Sequence, residues 1–240
     1  MKRYLFLLYM SVFISGFATD PQYVKADSKK TAEDFKAINE KFRSTGTLSE
    51  AIIYKMFDSY TAEKPSSVYP GFYIRKGNNI HTSLLSVESV QNNTLSIAVD
   101  TINKVIVITD PQKKNASEIQ VVELEKVLGL CSGVFEKNEK QMHAYRLEFT
   151  QPQSQYKVIE IEVSKDNFIK KIVLYFNQPV KGKNGKKEKP KVEIAYENIN
   201  EHPSVEEQEF SEHKFIDIKE GTYTPKHRYN SFRVINQKHN

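Results

Sequence analysis

From Gly71 to Thr109, and again from His143 to Tyr196, runs of alternating apolar and polar residues follow one another with only turn-length gaps between them. GFYIRKGNNIHTSLL breaks at Lys76-Gly77-Asn78-Asn79, and TLSIAVD meets KVIVIT across DTIN. HAYRLEF, VIEIEV, FIKKIVLYF and KVEIAY form the second group. A period of two puts every second side chain on one face, and gaps this short join antiparallel neighbours. The strand-helix alternation that marks a parallel sheet is missing. The chain is therefore predicted to be α+β, with one large curved antiparallel sheet and helices laid on one of its faces. Fourteen Phe and thirteen Tyr without a single Trp agree with this lean towards sheet.

Two segments change period. In TAEDFKAINEKFRS, Thr31 can cap and Asp34 stands three places on. Phe35, Ile38 and Phe42 then draw one apolar stripe along an otherwise charged helix. Between Asp110 and Ser132, Ile119, Val122 and Val127 or Leu128 recur at near-helical spacing behind Ser117, which predicts a second helix. LSEAIIYKMFDSY is apolar on both parities, with Ile52, Tyr54 and Met56 on one and Ile53 and Phe57 on the other. As a strand it needs dry surroundings on both sides, either core or cavity. Beyond Asn198 the pattern weakens into the acidic EHPSVEEQEFSEHKFIDI, and only YNSFRVI again reads as a strand.

The first eighteen residues read as a cleaved signal peptide. Lys2 and Arg3 precede the apolar YLFLLYMSVFI, and small residues lie around Gly16 and Ala18. The apolar stretch is shorter than the roughly 20 residues that span a bilayer, and no second one follows, so no transmembrane span is expected in the mature chain. Residues 19–30, with Pro21 and no periodicity, are expected to form a disordered leader. Residues 31–240 are expected to form one domain, with a C-terminal extension from about residue 199.

Chemistry is sparse. His81, His143, His202, His213, His227 and His239 form no HExxH or other close pair, so neither a metal site nor any cofactor is expected. Cys131, the only cysteine, reads as a small buried side chain rather than as a nucleophile paired with His143. Asp100 in IAVDTINKVIVI and Asp166 in the similar IEVSKDNFIKKIVLY stand where Asp bonds its own turn backbone, which makes them corners of a sheet before they are acids of a site. With no glycine phosphate loop and no GxSxG, no catalytic residue is assigned and the chain is not expected to be an enzyme. Asn92 and Asn115 open acceptor patterns that matter only in a glycosylating host. The basic run KGKNGKKEKP, residues 181–190, reads as a solvated hairpin loop available to a cell-envelope protein partner. It lacks the aromatic interleaving of a nucleic-acid surface, and no nucleic-acid partner is expected.

The informative feature is instead the amount of apolar strand surface. A curved sheet half-covered by helices leaves an apolar groove suited to an acyl chain or an apolar peptide. Alternation assigns Ile52, Tyr54, Met56, Leu95, Ile97, Tyr145, Leu147 and Phe149 to its lining, although a one-residue register shift would exchange the faces.

An exported chain with no lipid-attachment cysteine, the helix in FKAINEKFRSTGTLSEAI and the meander GFYIRKGNNIHTSLLSVESVQNNTLSIAVDTINKVIVI together resemble the periplasmic lipoprotein-carrier (LolA-like) superfamily. The resemblance runs from about Thr31 to Tyr196 and includes IEIEVSKDNFIKKIVLYF; the basic run 181–190 and the segment after Asn198 have no counterpart in it. It implies an unclosed half-barrel with helices packed on its concave face, a periplasmic location, no catalysis, and binding of a lipid or lipidated protein, with carriage between envelope membranes. A non-enzymatic structural or interaction module of an envelope assembly is the alternative.

Overall fold

The computed structural model of the chain describes residues 23–111, 124–139, 141–181, 185 and 187–238. The expected signal peptide, the first residues of the expected leader and the Ser117-to-Val122 part of the expected second helix lie outside the described residues.

Helix α1 spans Ser28–Ser44 and starts one turn earlier than Thr31 would allow. Asp27 is the cap, accepting from the Lys30 backbone N–H at 2.8 Å. Thr31 is buried inside the first turn, where its hydroxyl donates to the Asp27 carbonyl. Residues 24–30, expected in a leader, thus carry a short strand β1 (Val24–Lys25), the cap and the first residues of the helix. At the other end the buried Arg75 guanidinium lies over the Phe42 ring and donates to the carbonyls of Phe42 and Thr45, placing a cation on the helix C-terminus.

The strands before the second helix are β2 (Thr47–Phe57), β3 (Ser67–Lys76), β4 (Asn79–Leu84), β5 (Val87–Gln91), β6 (Ser96–Asp100) and β7 (Val105–Thr109). After α2 (Leu124–Leu128) come β8 (Gly133–Asn138), β9 (Met142–Glu148), β10 (Tyr156–Ser164) and β11 (Ile169–Phe176). Then follow the two-residue β12 (Val180–Lys181) and β13 (Lys187–Glu188), and β14 (Lys191–Asn200). A β15–β16 hairpin (Ile216–Lys219, Thr222–Pro225) and β17 (Arg233–Asn236) complete the chain.

Thirteen of these strands form one open, curved sheet in the order β1-β8-β9-β10-β11-β14-β2-β3-β4-β5-β6-β7-β17. Pairing is antiparallel except that β17 runs parallel to β7. The chain's two meanders meet where β14 pairs with β2. Gly71 lies where β3 presses on β4: a Cβ there would stand 2.4 Å from the Ser83 carbonyl oxygen, a distance no side chain tolerates.

Register decides which face each apolar row takes. Tyr73 pairs with Glu50 and Thr82, Thr82 with Ser89, and Ser89 with Ala98; this face carries α1. Phe35, Ile38 and Phe42 bury their stripe there against Leu48, Ile52, Tyr73, Tyr145, Leu147, Ile159, Ile161 and Ile172. Phe35 is wholly buried and meets the Tyr145 ring edge-on at 4.8 Å. Phe35→Ala is expected to cost about 3–5 kcal/mol, read as a lowered midpoint in urea unfolding with an unchanged slope.

The opposite face has a second core. Val90, Leu95, Ile97, Val99, Ile106 and Ile108 are each at most 2% exposed beneath Phe215, Ile216 and Tyr229 of the C-terminal segment. That segment also wraps the end of the sheet: Lys76 pairs with Glu207 at 2.7 Å, and Asn92 donates to Glu212.

His81, buried on β4, joins the two. Its Nδ1 lies 2.7 Å from Glu209 of the segment, its Nε2 3.0 Å from Glu88 on β5, and Phe72 packs edge-on against the ring. Lys214 approaches Glu209 at 3.2 Å, and Arg228 faces Glu88. The hydrogen bond from His81 holds Glu88 below the usual carboxylate range. Burial opposes charge on Glu209, yet the bonds from His81 and Lys214 outweigh it and its pKa is also lowered. Depressed folded-state values stabilise fully above the unfolded glutamate pKa, and that contribution is lost as pH falls from there through the lowered values. The Tm gap between the native chain and the double variant Glu88→Gln, Glu209→Gln is therefore expected to be open at neutral pH and to close as the pH drops below about 4.5.

Candidate functional site

On the side of the sheet that carries α1, the rows of β10, β11 and β14 extend beyond α1 and line a space that no helix among the described residues fills. Ile159, Ile172, Leu174, Ile194 and Tyr196 form its floor. Val127 of α2 and Leu130 just beyond it form one wall. Phe149 and Tyr156, with Gln151, Gln153, Ser154 and Gln155 between them, form the other. The cavity holds about 480 Å³, within the range of small-molecule sites, and its polar groups are neutral amides and hydroxyls at the rim. Burial raises the pKa of Tyr156, and burial together with the nearby Tyr156 and Tyr69 raises that of Tyr54, so both rings stay neutral phenols. Apolar walls with an amide rim can hold a hydrocarbon chain below a polar head.

The eight residues assigned to a lining from the sequence fall in three places. Phe149 lines this cavity. Tyr54 pairs across to Ile194 of its floor, and Met56, on the same parity, is 40% exposed at the strand end. Ile52, Tyr145 and Leu147 share that face but are buried in the core under α1. Leu95 and Ile97 are on the opposite face, in the second core: Ile97 pairs with Val90 and Val90 with His81, the row facing away from α1. The residues that the sequence reading missed are those of the 149–156 loop and of β11 and β14. TQPQSQY gives no periodic signal, whereas Ile172, Leu174, Ile194 and Tyr196 alternate plainly in FIKKIVLYF and KVEIAY.

At the opposite end of β9 and β10, α1 and the start of β9 enclose a polar hollow of about 250 Å³. The Tyr145 hydroxyl donates to Asp34 at 2.8 Å, the His143 ring stacks on Tyr145 at 4.3 Å, and His143 Nε2 lies 3.0 Å from Glu136, which also takes Lys30 at 3.3 Å. Burial, then the bond to Asp34, push the Tyr145 pKa far up, so the hydroxyl remains a donor. These paired groups tie α1 to the sheet. Cys131 lies at the opposite end of the β8–β9 hairpin from His143. Its thiol donates to the Val127 carbonyl at 3.2 Å, and burial pushes it up to about 11, leaving no thiolate at neutral pH. Among the described residues no three His, Cys, Asp or Glu side chains are grouped to hold a metal ion.

The two similar turns also differ. Asp100 accepts from the backbone of Ile102 and Asn103 and from the Asn103 side chain, as its position suggested. In the later hairpin it is Ser164, not Asp166, that closes the turn, accepting from Phe168, and the two hairpins point to opposite ends of the sheet.

No protein-family model matches the chain, and no curated protein does. Among solved structures, the chain is similar to an uncharacterized conserved protein from Thermus thermophilus, at 8% identity and TM-score 0.44, covering 86% of this chain and 99% of that one. It is similar to the Pseudomonas aeruginosa MucA/MucB complex at 10% identity and TM-score 0.45, covering 76% of this chain and 60% of that one. A LolA superfamily protein from Nitrosomonas europaea matches at 11% identity and TM-score 0.33, covering 80% and 99%. Solved structures of the LolA superfamily are thus among those this chain resembles, remotely. No helix among the described residues is long and apolar enough to cross a membrane.

Proposed function

We propose that the chain is an exported binding protein that takes an acyl chain, free or attached to a lipid or lipoprotein, into the 480 Å³ cavity between α2, the 149–156 loop and the β10–β11–β14 floor. The observation that supports this is the lining. Val127, Leu130, Phe149, Ile159, Ile172, Leu174 and Ile194 are wholly apolar, and each methylene transferred from water among them contributes about 0.8 kcal/mol. On this reading the helices occupy the concave side of the sheet, Gln151, Gln153 and Gln155 meet the polar head, and the protein serves in the periplasm as a carrier rather than as an enzyme. Native mass spectrometry and organic extraction of purified protein are expected to recover bound lipid, and a fluorescent fatty acid is expected to bind with an enhanced, blue-shifted signal that oleate displaces. Lipid-free protein that also ignores the probe would sink the reading.

A further inference from the structure

The sheet end at which the cavity's 149–155 loop lies also carries the hairpin tips of β4–β5 and β6–β7, and there apolar side chains point into water. Ile102 is 76% exposed, Leu85 52% and Val87 40%. The tips touch: the Thr101 backbone N–H and hydroxyl both donate to the Ser86 carbonyl. Both tips are fixed in shape. Asp100 ties down the backbone of Ile102 and Asn103, and Leu85 and Lys104 hold left-handed φ values of 57° and 52°. A leucine in that conformation costs roughly 1–2 kcal/mol, and burial does not repay it here.

The surroundings of this apolar knuckle are cationic. Lys104 is exposed on the tip itself. Arg233, exposed beside it, donates its backbone N–H to the Lys104 carbonyl. Arg228 is exposed over the Tyr229 ring and faces Glu88. The nearby acids are engaged, Asp100 by its turn and Glu88 by His81. Protruding apolar side chains beside exposed cations complement a bilayer with anionic head groups: the former enter the interface and the latter meet the phosphates.

We infer that Leu85, Val87 and Ile102, flanked by Lys104, Arg228 and Arg233, form a surface that docks the protein reversibly on an anionic lipid bilayer. This goes beyond cavity binding and does not require it.

Flotation of the chain without its expected signal peptide, residues 19–240, with vesicles of phosphatidylglycerol and phosphatidylethanolamine tests the inference, with pure phosphatidylcholine as the comparison. The chain is expected to float with the anionic vesicles, much less with the neutral ones, and to be released by salt. Leu85→Ser with Ile102→Ser is expected to weaken partitioning by about tenfold per side chain. Arg228→Ala and Arg233→Ala are each expected to weaken it roughly fivefold. Because the native chain has no tryptophan, Ile102→Trp supplies a single indole whose emission is expected to shift to the blue on anionic vesicles. All these side chains are exposed, so far-ultraviolet circular dichroism and Tm should match the native chain. Fatty-acid probe binding in the cavity should also be unchanged, so that loss of docking and loss of cavity binding are read separately. Equal binding to neutral vesicles, no flotation at all, or undiminished flotation of the double serine variant overturns the inference.

Discussion

A chain ending at Ser204 is expected to accumulate as insoluble protein, although every strand from β2 to β14 is retained. The cut removes Phe210, Phe215, Ile216 and Tyr229, all at most 3% exposed, and uncovers Val90, Leu95, Ile97, Val99, Ile106 and Ile108 on one face. Each of those six is worth roughly 2 kcal/mol of burial, and together they form a continuous apolar patch of the kind that drives aggregation. The same cut strips β17 from β7 and leaves a flat Val-Ile edge, VIVIT, with open backbone groups. Two finer changes give the gradient. Phe215→Ala should cost about 3–5 kcal/mol and still fold, whereas Glu209→Gln loosens only the His81 and Lys214 contacts. The readout is the soluble fraction after expression, with Tm for whatever remains soluble. A soluble, cooperatively melting 1–204 chain would show that the second core is dispensable.

That C-terminal segment is where the sequence was hardest to read, and the reason is physical. EHPSVEEQEFSEHKF carries its two anchors, Phe210 and Phe215, at no regular period, because short 3₁₀ turns rather than a helix or a strand deliver them to the sheet. Strand pairing is local, so the hairpins of β3–β4 and β6–β7 were legible from turn residues and alternation alone. Which face an alternating row takes is not local: it depends on register accumulated from strand to strand. One alternation cannot reveal that Ile97 faces the C-terminal segment while Tyr54 and Leu147 lie on the side of α1. The apolar stripe of α1 was plain because helical period is intrinsic to the segment. Its start was misplaced because Asp27 and Thr31 are both capping residues, and only the Asp27–Lys30 bond distinguishes them. The cavity was half legible. Its floor alternates visibly in β11 and β14, while its wall is the aperiodic TQPQSQY, whose place above that floor is fixed by Phe149 donating its backbone N–H to Lys157 and by Asn177 donating to Gln155.

Filling the cavity should abolish binding without harming the fold, the opposite of what core substitutions do. Leu174 and Ile194 lie on its floor and are only partly buried, so a larger side chain at either has empty space rather than packed atoms to enter. Leu174→Trp and Ile194→Trp are therefore expected to keep or raise Tm, since burial of added apolar surface is not offset by overpacking. Both should lower affinity for a fluorescent fatty acid at least tenfold by excluding the chain from the floor. Leu147→Trp is the contrast. Leu147 is wholly buried under α1, so added volume there forces neighbours off their rotamers and should cost about 1–3 kcal/mol, with little direct effect on the probe. Binding is measured by probe titration and stability by thermal melts on the same samples. Affinity lost at Leu174 and Ile194 with Tm intact, against Tm lost at Leu147 with affinity intact, separates a cavity that works from a core that is merely loose. Unchanged probe affinity in both floor variants would place the chain's ligand, if it has one, somewhere other than this cavity.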